Sequence, residues 1–376
     1  MIRPVVFVIL GTCMLAGSLV AAGPISVNDE GTLVRDGRPY RAIGVNYFDC
    51  FGRTLRDPAD RSYENGFAEL EKLGIPFARI MACGFWPSDM RLYQQDKAAY
   101  FRLLDGVVQS AEKHNVGLIM SLFWNSATVP DLVGESRNQW GNANSKTIGF
   151  MRTYIGDLVQ RYVNSPAIWG WEFGNEFALD ADLPNAASHR PPVVPSVGTP
   201  TTRTAADDVT HEIVRAAFME FAREVRRHEP KRLIISGNSV PRATAWHQWR
   251  EHNWKKDSPE QYTQMLLGDN PDPMNVISIH AYDDFDVAPS LQIARAAKKP
   301  LFVGEFGASG ADDDAREKFL LMLKSIEENP VPLAALWVYD YRAQDNKWNV
   351  TASNPRSYQL RAIAEANRRI SSASER

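Results

Sequence analysis

Two stretches of this 376-residue chain carry an apolar run up to a glutamate: Trp169-Gly-Trp-Glu-Phe-Gly-Asn175-Glu176 and Leu301-Phe-Val-Gly-Glu305-Phe-Gly307. A carboxylate at the carboxyl end of a buried strand costs desolvation energy unless something uses it. Two such ends predict a pair of carboxylates facing one cleft, and paired carboxylates are the machinery of glycoside hydrolysis. Glu176 follows a largely apolar run, so hydrophobic walls are expected to raise its pKa and keep it protonated as a general acid. Glu305 has Arg79, His280 and Tyr282 available on other strand ends to stabilise an ionised carboxylate, which suits a nucleophile. Asn175 is placed to hydrogen-bond a sugar hydroxyl. Glu172 shares strand parity with Glu176 and is read as a structural ion-pair partner of an arginine rather than as a catalyst.

Such residues need a scaffold that brings strand ends to one face. From Ala42 onward, short apolar runs alternate with amphipathic helical segments, the signature of βα units around a parallel sheet. The runs are 42–46, 77–81, 117–122, 168–174, 233–237, 276–280, 301–305 and 333–339. Eight closes a barrel, so the fold class is α/β, a single (β/α)8 TIM barrel. Helices are predicted at 63–73, 100–114, 146–162, 205–228, 259–267, 289–297, 315–328 and 357–370. Ser258-Pro259-Glu260-Gln261 specifies one helix start through an N-cap serine, a proline at the first helical position and a capping-box glutamine. Before the first run, residues 32–41 read as a β-hairpin turning at Asp36-Gly37 and capping one end of the barrel. The Pro-rich stretch 184–200 reads as a long loop, because the alternation resumes beyond it.

Residues 1–22 have the layout of a secretory signal peptide: Arg3, an apolar stretch from Val5 to Leu19, then Ala21, Ala22 and Gly23. The mature catalytic barrel is then 23–376, secreted or periplasmic, with no membrane contact after cleavage. Cys50 and Cys83 remain, either as a disulfide or as two buried thiols. A formal net charge of -3 lacks the basic footprint of a nucleic-acid binder. The histidines show no metal-ligand spacing, and neither glycine-containing run continues into a phosphate loop, so no metal and no cofactor are expected.

Aromatic residues cluster in the loops predicted for the catalytic face: Phe85-Trp86, Trp124, Trp140, Trp246, Trp249, Trp254 and, at the last strand, Trp337. Pyranose rings stack on such flat faces, and Trp337, Trp124, Trp86 and Trp140 are expected to line the substrate.

The ordered set Arg79, Asn175-Glu176, His280-Ala281-Tyr282, Glu305 and Trp337 resembles the pattern of clan A glycoside hydrolases, most closely family 5, the cellulase and β-mannanase family. The resemblance spans essentially the whole mature chain. It implies that Glu176 is acid/base, that Glu305 is nucleophile, and that hydrolysis retains anomeric configuration. Two departures stand out: Phe123-Trp124-Asn125 where many members carry a histidine after the third strand, and Phe177 where many have proline after Asn-Glu. The run from Trp169 to Glu176 is similar to the corresponding run of family β-mannanases. The expected activity is therefore that of a monomeric retaining endo-β-glycosidase on a β-1,4-linked polysaccharide, with β-mannan favoured over β-glucan. Exo action on oligosaccharides and a non-hydrolytic carbohydrate-binding barrel remain the alternatives.

Overall fold

A computed structural model describes residues 25–282 and 286–374. The signal peptide expected over 1–22 lies outside the described residues. Eight parallel strands form the barrel: β1 Ala42–Asn46, β2 Phe77–Met81, β3 Gly117–Phe123, β4 Ile168–Gly174, β5 Leu233–Ile235, β6 Ile277–Tyr282, β7 Leu301–Gly307 and β8 Leu333–Leu336. Each pairs with the next in chain order except β5 with β6, and β8 pairs with β1. This is the (β/α)8 architecture the alternation predicts.

The circle has one irregular seam. Among the described residues no backbone ladder joins β5 to β6, and side-chain amides span the gap instead. Ile234 donates its backbone N–H to Asn275 Oδ1 at 2.8 Å, and Ser278 donates its own to Asn270 Oδ1 at 3.0 Å. Those groups would otherwise be buried donors without acceptors, each costing about 1–3 kcal/mol.

The N-terminal segment forms a small antiparallel sheet of three strands, Ile25–Val27, Leu33–Arg35 and Arg38–Pro39. Its tight turn uses Asp36 and Gly37 at φ 51° and 74°, the positive values such a turn requires. The sheet closes the amino-terminal mouth: Ile25 and Leu33 share an apolar cluster with Phe77, Ile119, Trp169 and Phe302. Tyr40 meets the Trp169 ring edge-on at 5.7 Å. Above this plug the barrel turns polar, with Asn46, Arg79, Ser121 and Glu172 all fully buried.

The outer helices follow the predicted stripes, for example Lys146–Tyr162 and Pro259–Gly268, the latter with its Ser258–Gln261 capping box formed. Helix His211–His228 begins six residues later than its predicted start at 205, where Ala205–Asp207 makes a separate turn capped by Thr204. The Pro-rich stretch is a loop, as read. Arg190 pairs with Asp208 at 2.7 Å, and Arg203 pairs with Asp131 at 2.6 Å. Cys50 and Cys83 are free and buried, and burial pushes the Cys83 thiol up to about 12. Among the described residues no helix is long and apolar enough to cross a membrane.

Candidate active site

The strand ends deliver Arg79 from β2, Asn175 and Glu176 just past β4, His280 and Tyr282 from β6, Glu305 from β7 and Trp337 just past β8. Glu176 leaves the strand in the left-handed region, at φ 56° and ψ 31°. Its backbone N–H is held by the carbonyl of Gly237 at 2.9 Å, and that of Asn175 by Trp124 at 3.2 Å. Gly237 itself sits at φ 74°, and a Cβ there would fall 1.9 Å from the Gly174 carbonyl oxygen. Only glycine allows this close approach of the β4 and β5 ends.

Arg79 organises the cluster. Its Nε donates to both oxygens of Glu172, at 2.8 and 2.9 Å, while Nη1 donates to Glu305 Oε1 at 2.8 Å and to Asn46 Oδ1 at 3.0 Å. Nη2 donates to Asn175 Oδ1 at 2.9 Å, which leaves the Asn175 amide hydrogens for a ligand. Burial works to lower the Arg79 pKa, but Glu172 and Glu305 overcome it and hold the guanidinium charged. Glu172 is thus the ion-pair partner its strand parity suggested.

Glu305 is 5% exposed and accepts a second hydrogen bond from the Tyr282 hydroxyl at 2.6 Å. Burial and the Glu305 charge push the Tyr282 phenol well above its usual value, so it stays a donor. His280 is divided between the two carboxylates: Nδ1 lies 2.8 Å from Glu176 Oε1 and 3.5 Å from Glu305 Oε2. One atom from each of Glu176, His280 and Glu305 falls within 4.8 Å of the others. The two carboxylates, 129 positions apart in the chain, therefore face one another across a gap the size of a bond-cleavage site.

The expectation of a raised Glu176 pKa is not met. Burial raises it, but the His280 hydrogen bond, the charges of His280 and Arg79 and the Ser239 hydroxyl together outweigh burial, and the carboxyl lies below its ordinary value. The hydrophobic run before Glu176 does not face the carboxylate alone, because β6 brings His280 against it.

The aromatic residues divide. Trp337 is half-buried and stacks on Trp124 with centroids 6.1 Å apart and planes 23° apart. The Arg79 guanidinium in turn lies over the Trp124 ring, 4.4 Å from its centroid, so a cation–π contact ties this stack to the charged cluster. Trp86 is half-buried and lines a cavity of about 720 Å³ with Phe48, Phe85 and Tyr341. Trp140 does not join the cleft: it is 2% exposed, packs on Phe123, Phe173 and Phe177, and donates its indole N–H to the Ser126 carbonyl at 2.7 Å. A tryptophan satisfied on every side in a helix-layer cluster has no face left for sugar. Trp246 and Trp249 bond Gln264 and Glu212 on the outer helices.

Three residues near the glutamates were not read from the sequence. Ser239 lies beside Glu176, Trp348 meets the Tyr282 ring at 5.3 Å, and Phe48 packs on both Trp124 and Trp337. Phe48, two positions past β1, follows the same strand-end rule as Trp124 and Trp337 and could have been found by it.

The chain is similar to several known proteins. Over 163 residues, the chain is 40% identical to mannan endo-1,4-beta-mannosidase A of Hypocrea jecorina, covering 38% of this chain and 36% of that protein. It is 30% identical over 142 residues to a probable mannan endo-1,4-beta-mannosidase F of Aspergillus flavus, covering 31% of this chain and 30% of the relative. The chain thus spans about a third of the length of these curated relatives. In three dimensions it resembles an endo-1,4-beta-mannanase from Rhizomucor miehei, with a TM-score of 0.65 and 16% identity over 93% of this chain and 100% of that one. An exo-beta-1,4-mannosidase from an Opitutaceae bacterium aligns with a TM-score of 0.59 and 15% identity over 92% of this chain and 63% of that one. The profile described as Cellulase (glycosyl hydrolase family 5) matches residues 62–342, and the chain belongs to that family.

Proposed function

We propose that this protein is a retaining endo-β-mannan hydrolase, acting by double displacement with Glu305 as nucleophile and Glu176 as acid/base. The observation that carries the reading is the approach of the two carboxylates to within 4.8 Å. Retaining enzymes hold their carboxyl groups about 5–5.5 Å apart, and inverting enzymes roughly 6.5–9.5 Å apart to admit a water.

Each neighbour has a role in that sequence. Arg79 and Tyr282 each donate to one oxygen of Glu305, aligning the carboxylate for attack at the anomeric carbon. Glu176 protonates the departing glycosidic oxygen, then takes a proton from the water that releases the glycosyl-enzyme. Asn175 is positioned by Arg79 to offer its amide to the sugar 2-hydroxyl. Trp337 forms the platform beneath the ring being cleaved. The relatives named as mannan endo-1,4-beta-mannosidases support mannan over glucan. The leader read between Arg3 and Gly23 supports export.

Incubation with mannan, glucomannan, carboxymethylcellulose and xylan, followed by product analysis, tests the substrate. Mannan-derived oligosaccharides released first as the β-anomer, seen by proton NMR, are expected. Glu176→Ala and Glu305→Ala should each cut turnover by orders of magnitude, with azide partly rescuing one of them. Release of the α-anomer, or full activity in either variant, would overturn the assignment.

A further inference from the structure

β7 pairs out of step with both of its neighbours around Gly304. Its ladder with β6 sets Val303 against Ile279 and then Glu305 against His280, so Gly304 is passed over, and its ladder with β8 shifts register across the same residues. Two residues facing one is a β-bulge, which bends a strand and re-aims the side chain beside it. Here that side chain is Glu305. A Cβ at position 304 would fall 3.1 Å from His280 Nε2, so glycine at the bulge also leaves room for the histidine.

The bulge is held from across the sheet. Asn46 Nδ2 donates to the Gly304 carbonyl at 2.9 Å, and it also lies 3.2 Å and 3.4 Å from the carbonyl oxygens of Leu336 and Ala335. Asn46 ends β1, and β8 stands between β1 and β7, so this side chain reaches past one strand to hold the next. Its other atom completes the arrangement: Oδ1 accepts from Arg79 Nη1 at 3.0 Å, the same nitrogen that donates to Glu305 Oε1 at 2.8 Å. An apolar side chain of that size would fill the space but leave a buried carbonyl and a guanidinium hydrogen without these partners.

The geometry points to Asn46 as a positioning residue for the nucleophile. It fixes the backbone one position before Glu305 and the guanidinium that orients the Glu305 carboxylate, and so sets the direction from which that carboxylate meets the anomeric carbon. Asn46 has no solvent exposure, so it acts through Glu305 and not on the sugar. The inference rests on Glu305 being the nucleophile.

The test uses 2-deoxy-2-fluoro-β-mannosyl fluoride. A Glu305 oxygen bonds to its anomeric carbon as the C–F bond breaks and fluoride leaves with the electron pair; the 2-fluorine slows hydrolysis of the glycosyl ester, so the label accumulates. Its maximal rate of appearance reads nucleophile alignment apart from binding, and peptide mass mapping locates it. Asn46→Ala, Asn46→Asp and Asn367→Ala are compared with wild type well below their melting temperatures. Asn46→Asp keeps the shape and the acceptor for Arg79 but loses the amide donor, so it isolates the Gly304 contact and decides the matter if Asn46→Ala fails to fold. Asn367 bonds the Ile43 N–H and carbonyl at 2.9 and 2.8 Å, so its removal loosens β1 through a residue bonded to neither Gly304 nor Arg79. Both Asn46 variants should label about tenfold or more slowly with mannotriose affinity within about twofold of wild type, while Asn367→Ala labels at the wild-type rate whatever its melting temperature. Wild-type labelling in folded Asn46→Asp, or a loss in Asn367→Ala as large as that in the Asn46 variants, would overturn the positioning role. Absence of label from Glu305 in wild type is a different result, which overturns the nucleophile assignment and this inference with it.

Discussion

Arg79 and Glu172 form an ion pair in which neither side chain has any solvent exposure. The pair sits one layer below the two facing glutamates, and Arg79 carries its influence upward through Glu305 and Asn175. The positions of both residues above it therefore depend on a carboxylate that touches no substrate.

Breaking the pair should be costly. Glu172→Ala leaves a buried guanidinium with one carboxylate partner fewer, and removing one member of a buried pair costs about 3–5 kcal/mol. Chemical denaturation should show that loss at neutral pH, together with a lower kcat. An unfolding free energy within about 0.5 kcal/mol of wild type would show that Glu172 is not the anchor.

The tryptophans allow a paired comparison. Trp140→Ala empties a packed aromatic cluster and should cost about 3–5 kcal/mol of stability while KM of the folded fraction is unchanged. Trp337→Ala, at a half-exposed ring bonded to Gln344, should cost little stability but raise KM and lower kcat. Thermal melts and steady-state kinetics on the same preparations decide between the two patterns. A KM effect in Trp140→Ala as large as that in Trp337→Ala would contradict the burial of Trp140.

Several features were legible because periodicity alone carries them. Strands 42–46, 77–81 and 168–174 have the bounds the apolar runs predict, and Arg79, Asn175, Glu176, His280, Tyr282 and Glu305 converge because barrel strands share one carboxyl face. Helices Cys50–Arg56, Arg91–Gln95, Thr128–Val133 and Ala245–Glu251 went unread, since five to seven residues hold too little of a 3.6-residue stripe to register. β5 ends at Ile235, short of the predicted 237, because Gly237 adopts a positive φ to meet Gly174. Trp140 and Trp337 look alike in sequence: a flat ring reads the same whether phenylalanine or sugar will cover it. The pKa direction of Glu176 was misread for a similar reason, as His280 is 104 positions away and no local pattern reports its approach.

Gly237 offers a direct test of how the acid/base is placed. In Gly237→Ala the new Cβ would collide with the Gly174 carbonyl and impose a left-handed alanine, a strain of order 1–3 kcal/mol before the clash is counted. The β4 end must then move, and Glu176, whose N–H bonds the Gly237 carbonyl, moves with it. The expected result is a lower melting temperature and a kcat reduced by about tenfold or more, because small misplacements of a catalytic group cost rate steeply. Wild-type kcat in a stably folded Gly237→Ala protein would refute this placement.

The pH profile depends on His280. In the free enzyme the His280 hydrogen bond and nearby positive charge hold the Glu176 carboxyl below its ordinary value. An acid catalyst must be protonated, so kcat/KM, which reports the free enzyme, should be greatest on the acidic side and fall as pH rises through the carboxylate range. His280→Ala removes the leading influence that lowers this pKa while burial, which raises it, remains. The pKa should therefore rise, and the alkaline limb of kcat/KM should move to higher pH, even though the maximal rate falls. The same sign governs stability: a depressed folded-state pKa contributes stability above the unfolded value, lost as pH falls through the folded one, so His280→Ala should lessen acid sensitivity at this site. Profiles of kcat/KM for both proteins settle it, and an alkaline limb that stays in place or moves to lower pH would show that another group sets the protonation of Glu176.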